Sequence, residues 1–170
     1  MSEPTPAPRS IVFTVPLAPK GKRSIRVASG RAYLHGDTRN YMGAVAFFAG
    51  AAIKEPLEGP LRVDILAVMP RPKRLRTTWK RTGEPRHWPG FIWCPQKPDK
   101  DNIEKAIYDG MSSCWTDDKQ VVAGETLKVY SELHGKPRVV VRVTPLPSGS
   151  PHYGPMLGDP AYMARKLGLD

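Results

Sequence analysis

The sequence predicts an α+β domain: a two-layer α/β arrangement in which two main helices pack on a mixed β-sheet. Three observations lead there. Short, β-branched apolar runs recur at residues 11–15, 61–69, 121–133 and 137–144. A segment over residues 38–54 is apolar almost all round and long enough for a helix. Finally, Ile103, Ala106, Ile107 and either Gly110 or Met111 recur at helical spacing.

Taken in order, Ile11 to Val15 reads as a first strand, ended by Pro16. The turn Pro19-Lys20-Gly21-Lys22-Arg23 is basic, lacks the spacing of a phosphate-binding P-loop, and suits either contact with a DNA phosphate or a solvated turn. Residues 24–27 and 31–34 flank Ala28-Ser29-Gly30 as a hairpin. Asp37 or Thr38 is placed to cap the first helix, which stops before Pro56. Its apolar residues 42, 45, 48 and 52 make one stripe, and 44, 47 and 51 widen it, so one side is expected on the sheet and the other either within the monomer or, as the leading candidate interface, against a partner subunit. Leu61, Val63, Ile65, Ala67 and Met69 share one face of the next strand, with Leu66 and Val68 on the other, as in an interior strand.

A long, Pro-rich basic segment follows, with Arg71, Lys73, Arg74, Arg76, Lys80, Arg81 and Arg86 opposed only by Glu84. Trp79 and Trp88 interleave with these cations, the composition expected where side chains stack on bases or pack on sugar. The second helix is expected over residues 102–111. Strands at 121–133 and 137–144 are joined through His134-Gly135, and a Pro/Gly/Ser-rich appendage occupies residues 145–170. Residues 1–10 read as a disordered lead-in, leaving residues 11–144 as the domain.

The chain has 170 residues, 40% of them hydrophobic, and a formal net charge of +10. That length supports one domain with a core. The charge points to a polyanionic partner. No run approaches the length that spans a bilayer, and the N-terminal stretch lacks a signal-peptide core, so a cytoplasmic protein, associated with DNA, is expected. Cys94 and Cys114 read as reduced thiols; together with His87 they match no familiar zinc spacing.

Against this basic background, six of the 16 acidic residues fall between Asp99 and Asp118. Gathered carboxylates repel one another unless a cation or a proton intervenes, and oxygen ligands suit a hard divalent ion. Pro98 places Asp99 at the end of an extended segment, with Asp101 near the cap of the helix and Lys105 one turn below it. Two carboxylates and a lysine thus meet at a helix N-terminus, a place that favours phosphate. Asp117 and Asp118 return before the next strand, where they can complete a triad. Glu104 is expected in solvent, and Asp109 is expected to pair with Lys105.

These residues, Asp99-Lys100-Asp101-Asn102-Ile103-Glu104-Lys105 and then Asp117-Asp118-Lys119-Gln120-Val121, resemble the D-x-D-N-x-x-K and D-D-x-Q-V blocks of the RusA-type Holliday junction resolvases. The likeness includes the gap between the blocks and extends more weakly over residues 11–144. It implies a homodimeric endodeoxyribonuclease that places symmetric nicks in a four-way DNA junction. Asp99, Asp101 and Asp118 would hold Mg2+, for which Mn2+ substitutes, with Asp117 in support. Lys105 would stabilise the charge of the transition state. Lys20, Lys22, Arg23, Arg71, Lys73, Arg74 and Arg76 are the expected DNA contacts. Two further readings stay open: a broader nuclease on flaps and forks, and a DNA-binding homologue without catalysis.

Overall fold

The computed structural model describes residues 9–22, 26–28, 31–33 and 36–146. Its strands are β1 (Ile11–Val15), β2 (Arg26–Ala28), β3 (Arg31–Tyr33), β4 (Leu61–Met69), β5 (Ile92–Trp93), β6 (Val121–Ala123), β7 (Thr126–Tyr130) and β8 (Arg138–Pro145). The helices are α1 (Gly36–Ala52) and α2 (Lys100–Gly110). Two helices beside a mixed sheet give the α+β class that the hydrophobic patterning predicts.

The main sheet runs β1-β8-β4-β7-β5, with β6 also on β4; β2 and β3 pair separately as the antiparallel hairpin. Here β4 is the interior strand, antiparallel to β8 and parallel to β6 and β7. Its odd-numbered residues, Leu61 to Met69, enter the larger core beside Val45, Ile103 and Ile107 from the helices and Met111 just after α2. Leu66 and Val68 enter a smaller cluster on the opposite face with Leu127, Val129 and Val140. A strand apolar on both sides is therefore buried on both sides.

Two expectations change, those for residues 121–133 and for α1, and the sheet order is settled between them. Residues 121–133 do not form one strand: the register on β4 shifts beside Leu61 and Arg62, and the Glu125 N–H leaves the ladder to bond the Asp64 carboxylate at 3.1 Å. The strands on either side of His134-Gly135 do not pair with each other, because β4 lies between them. Burial on α1 follows Thr38, Tyr41, Val45 and Ala49, while Phe48 and Ala52 sit half-buried at the margin of the core and Phe47 is 71% exposed. Among the described residues, the cover thus lies on one side of α1.

At the C-terminal end the ordered sheet reaches slightly past the expected boundary: β8 includes Pro145, and the Leu146 N–H donates to the Pro60 carbonyl at 2.8 Å. The other residues of the expected lead-in and appendage, 1–8 and 147–170, lie outside the described residues.

Candidate active site

The basic turn after β1 is folded directly onto the start of α2. The Lys22 N–H donates to the Asn102 carbonyl at 2.8 Å, and the Lys22 ammonium stands 2.6 Å from Asp109. Only glycine fits at position 21, since a Cβ there would lie 2.8 Å from Cβ of Pro98 and 3.2 Å from that of Asn102. Residues some eighty positions apart in sequence are brought together in this way. The outcome is an open cleft of about 500 Å3 lined by Lys20, Lys22, Asp37, Lys97, Asp99 and Asn102 among others.

From the other side, the approach to the acidic block is held by Lys128 on β7. Its ammonium donates to the carbonyls of Gln96 and Pro98 at 2.6 and 2.8 Å. Neither this clamp nor the presence of Asp37 in the cleft is visible in the sequence, where Asp37 reads as a helix cap. Gly36 already begins α1, so Asp37 and Thr38 belong to its first turn.

Helix α2 starts two residues earlier than its apolar stripe indicates, at Lys100, and Asp99 is its N-cap residue. The Asp99 carboxylate makes no capping bond, however, and it lines the cleft. Both its oxygens are therefore free of the helix end, where a cap would have occupied one. Asp101 lies in the first turn on another face, 62% exposed, and accepts from the Lys105 ammonium at 3.1 Å. That hydrogen bond is the main reason its carboxyl is held below the ordinary aspartate range.

The second block forms a 3-10 turn, Asp118–Gln120. Asp117 caps it, accepting from the Lys119 N–H at 2.9 Å, while the Gln120 side chain accepts from the Asp117 N–H. The Gln120 amide also donates to the carbonyls of Leu57 and Gly59, tying the turn to the entrance of β4. Asp118 accepts from the buried Trp115 indole N–H at 2.8 Å, which leaves its second oxygen without a protein partner among the described residues. The spacing of the D-D-x-Q block thus has a structural cause: one carboxylate and the amide hold the turn, and the next carboxylate is presented.

Oxygen donors with free lone pairs suit a hard divalent ion, and Asp99, Asp101 and Asp118 each retain one. Yet among the described residues no three His, Cys, Asp or Glu side chains stand together as a metal-holding group. Asp99 faces the cleft; Asp101 and Asp118 are not among its lining residues. The donor chemistry fits, and the arrangement does not gather it into one triad.

Several other expectations are corrected. Asp109 pairs with Lys22, not Lys105, because it continues the Asn102 face of α2 toward the basic turn. Glu104 is not simply solvated: it accepts from the Thr126 hydroxyl at 3.0 Å and approaches Lys100 at 3.9 Å. Burial first, and then the Glu104 charge and hydrogen bond, push the Tyr108 hydroxyl well above its ordinary value.

Of the expected DNA contacts, Lys20 and Lys22 line the cleft, and Lys73, Arg74 and Arg76 are exposed on a 3-10 turn. Arg23 lies outside the described residues. Arg71 is a correction. Its side chain is only 3% exposed, and its guanidinium donates to the carbonyls of Leu75, Trp88, Pro89, Gly90 and Ser131. A buried guanidinium that spends most of its N–H groups on backbone oxygens is a structural clamp, poorly placed to reach a phosphate.

Residues 15–144 match the family described as Endodeoxyribonuclease RusA. No curated protein matches the chain.

Proposed function

The chain belongs to the RusA endodeoxyribonuclease family, and from that membership we propose that it is a Mg2+-dependent nuclease, with Mn2+ as a substitute, that resolves four-way DNA junctions by paired nicks. The observation that carries the reading is the uncapped Asp99 carboxylate in a lysine-lined cleft, with Asp101 and Lys105 on the same short helix. Members of the family cut DNA internally and depend on a divalent metal.

Asp99, Asp101 and Asp118 are the residues that would hold the ion. When bound, a divalent ion lowers the pKa of an attacking water and offsets charge on the phosphate. The chain's own side chains do the rest. Lys20 and Lys22 attract the DNA backbone into the cleft beside the α2 N-terminus, where unpaired backbone N–H groups favour phosphate. Lys105 keeps Asp101 ionised and offers positive charge where the pentacoordinate phosphorus gains negative charge. Trp115 fixes the rotamer of Asp118.

A homodimer fits this reading, because a two-fold junction suits an isologous two-fold assembly. The exposed side of α1 around Phe47 is the candidate interface. The absence of a gathered acidic triad among the described residues favours one second reading, a DNA-binding homologue without catalysis. Incubating the protein with a synthetic four-way junction, a linear duplex and a flap, with and without Mg2+, separates the possibilities. Paired nicks in the junction alone support the proposal. Cutting of all branched substrates supports a broader nuclease, and binding without cutting supports the second reading.

A further inference from the structure

The basic segment between β4 and β5 is a built projection. Thr78 bridges Pro85, the Trp79 N–H donates to the Glu84 carbonyl at 2.8 Å, and the Arg86 N–H donates to the Thr77 carbonyl at 2.9 Å. Gly83, at φ 73°, closes the tip with its N–H on the Trp79 carbonyl. Both legs are fastened at the root by the single buried guanidinium of Arg71, which holds the Leu75 carbonyl on one side and those of Trp88, Pro89 and Gly90 on the other.

Two tryptophans on this projection are exposed, Trp79 by 54% and Trp88 by 71%. Each has a neighbour packed against it. The Arg86 guanidinium lies over the Trp79 ring, 4.5 Å from its centroid. Trp88 lies against Gly90 so closely that a Cβ there would meet its Nε1 at 2.6 Å. Contacts of this kind restrict the ring, while much of each side chain stays open to water. Leaving large aromatic surface in water without a partner is unfavourable, and the neighbours are cationic: Lys80, Arg81 and Arg86 beside Trp79, with Lys73, Arg74 and Arg76 at the root.

We infer that this projection is a binding site for unpaired DNA bases, which stack on the open faces of Trp79 and Trp88 while the surrounding cations hold the backbone. Resting on the DNA-directed reading above, the inference assigns a ligand class to a surface separate from the acidic cleft. Its chemistry selects single strands, since a duplex hides its base faces within its own stack and every unpaired base exposes one. A flap or fork offers such bases at its branch point, and a four-way junction offers them where pairs at the branch open. The projection leads through β5 into the segment that carries Asp99.

The test is equilibrium binding of the full chain in metal-free buffer, where no cutting occurs, to a labelled oligothymidylate of about twelve nucleotides and to a blunt duplex. Wild-type tryptophan emission should be quenched by the oligonucleotide and not by the duplex. Trp79→Ala and Trp88→Ala should each weaken oligonucleotide binding about tenfold and leave duplex binding within about twofold, whereas Trp79→Phe keeps most of the affinity. A thermal melt matching wild type qualifies each variant, and the quenching measurement needs none. Unquenched emission with unchanged affinities overturns the inference, as does an equal loss on both ligands, which leaves the projection a source of charge alone. Failure to bind either DNA also overturns it and leaves an acidic protein as the partner to seek. Cleavage with Mg2+ is scored separately: stacking without cutting sinks the nuclease reading only, and cutting without stacking sinks this one only.

Discussion

The indole N–H of Trp115 donates to Oδ1 of Asp118 at 2.8 Å, and the Trp115 ring meets Tyr108 of α2 edge-on at 6.2 Å between centroids. One buried side chain thereby couples the orientation of the second acidic block to the helix that carries the first. Trp115→Phe keeps most of the packing and removes the donor. It should lower the cleavage rate by tenfold or more while leaving junction affinity intact. The lost hydrogen bond to a charged acceptor is worth roughly 1.5–3 kcal/mol. An unchanged cleavage rate in a folded variant would show that Asp118 needs no fixed rotamer.

Asp101→Asn should abolish cleavage and preserve, or tighten, junction binding in metal-free buffer. The carboxylate repels phosphate when no cation intervenes, and the amide does not. A variant cutting at about a tenth of the wild-type rate would be far too active for a lost metal ligand, and would remove Asp101 from that role.

The two kinds of arginine in the basic segment should separate cleanly. Arg71→Ala strands several carbonyls and should destabilise the fold by roughly 3 kcal/mol or more, read as a lower denaturant midpoint. Arg74→Ala and Arg76→Ala should leave stability nearly unchanged. They should flatten the salt dependence of DNA binding by about one unit of slope per lost phosphate contact. A flat Arg71 result would mean its carbonyl partners are reached by water instead.

Phe47→Asp tests the dimer. Phe47 is exposed in the single chain, so the substitution should shift stability by no more than about 0.5 kcal/mol. It should yield a folded monomer that loses paired cleavage. Phe48→Asp, at the margin of the core, should instead destabilise the fold itself, because a charge is pushed toward an apolar cluster. Sedimentation decides the matter: a monomeric wild type at micromolar concentration with full paired cleavage would end the dimer proposal.

Glu132 supplies a pH-dependent increment of stability. Burial pushes its carboxyl up, but the Arg138 guanidinium, donating to both oxygens at 2.7 and 3.2 Å, outweighs this and holds it below the usual glutamate value of 4.5. A depressed folded pKa means the contribution is complete above the unfolded value and disappears as pH falls through the folded one. Below about pH 4.5 the melting temperature should therefore fall more steeply for wild type than for Glu132→Gln. Parallel curves would show that the ion pair is screened out by solvent.

By itself the sequence determined the two helices, the strand at residues 61–69 with its interior position, and the residues that form the acidic blocks. Each of these is written in local periodicity: period two over residues 61–69, period 3.6 at Ile103, Ala106 and Ile107, and the fixed spacing of Asp99 and Asp101. Periodicity does not announce the 3-10 turn of the second block, which Asp117 and Gln120 hold by bonding each other across three residues. What only the tertiary structure decided depends on groups far apart in the chain. Arg71 reads as one more cation in a basic run, and becomes a structural clamp because the carbonyls of Trp88, Gly90 and Ser131 converge on it. Asp109 pairs with Lys22 because the tight contact of Gly21 with Pro98 and Asn102 carries that turn onto α2. Composition likewise cannot tell Phe47 from Phe48; the side of α1 that meets the sheet does. A charge or an aromatic ring has the same identity at every position, and its role is set by which polar and apolar groups the fold brings within reach.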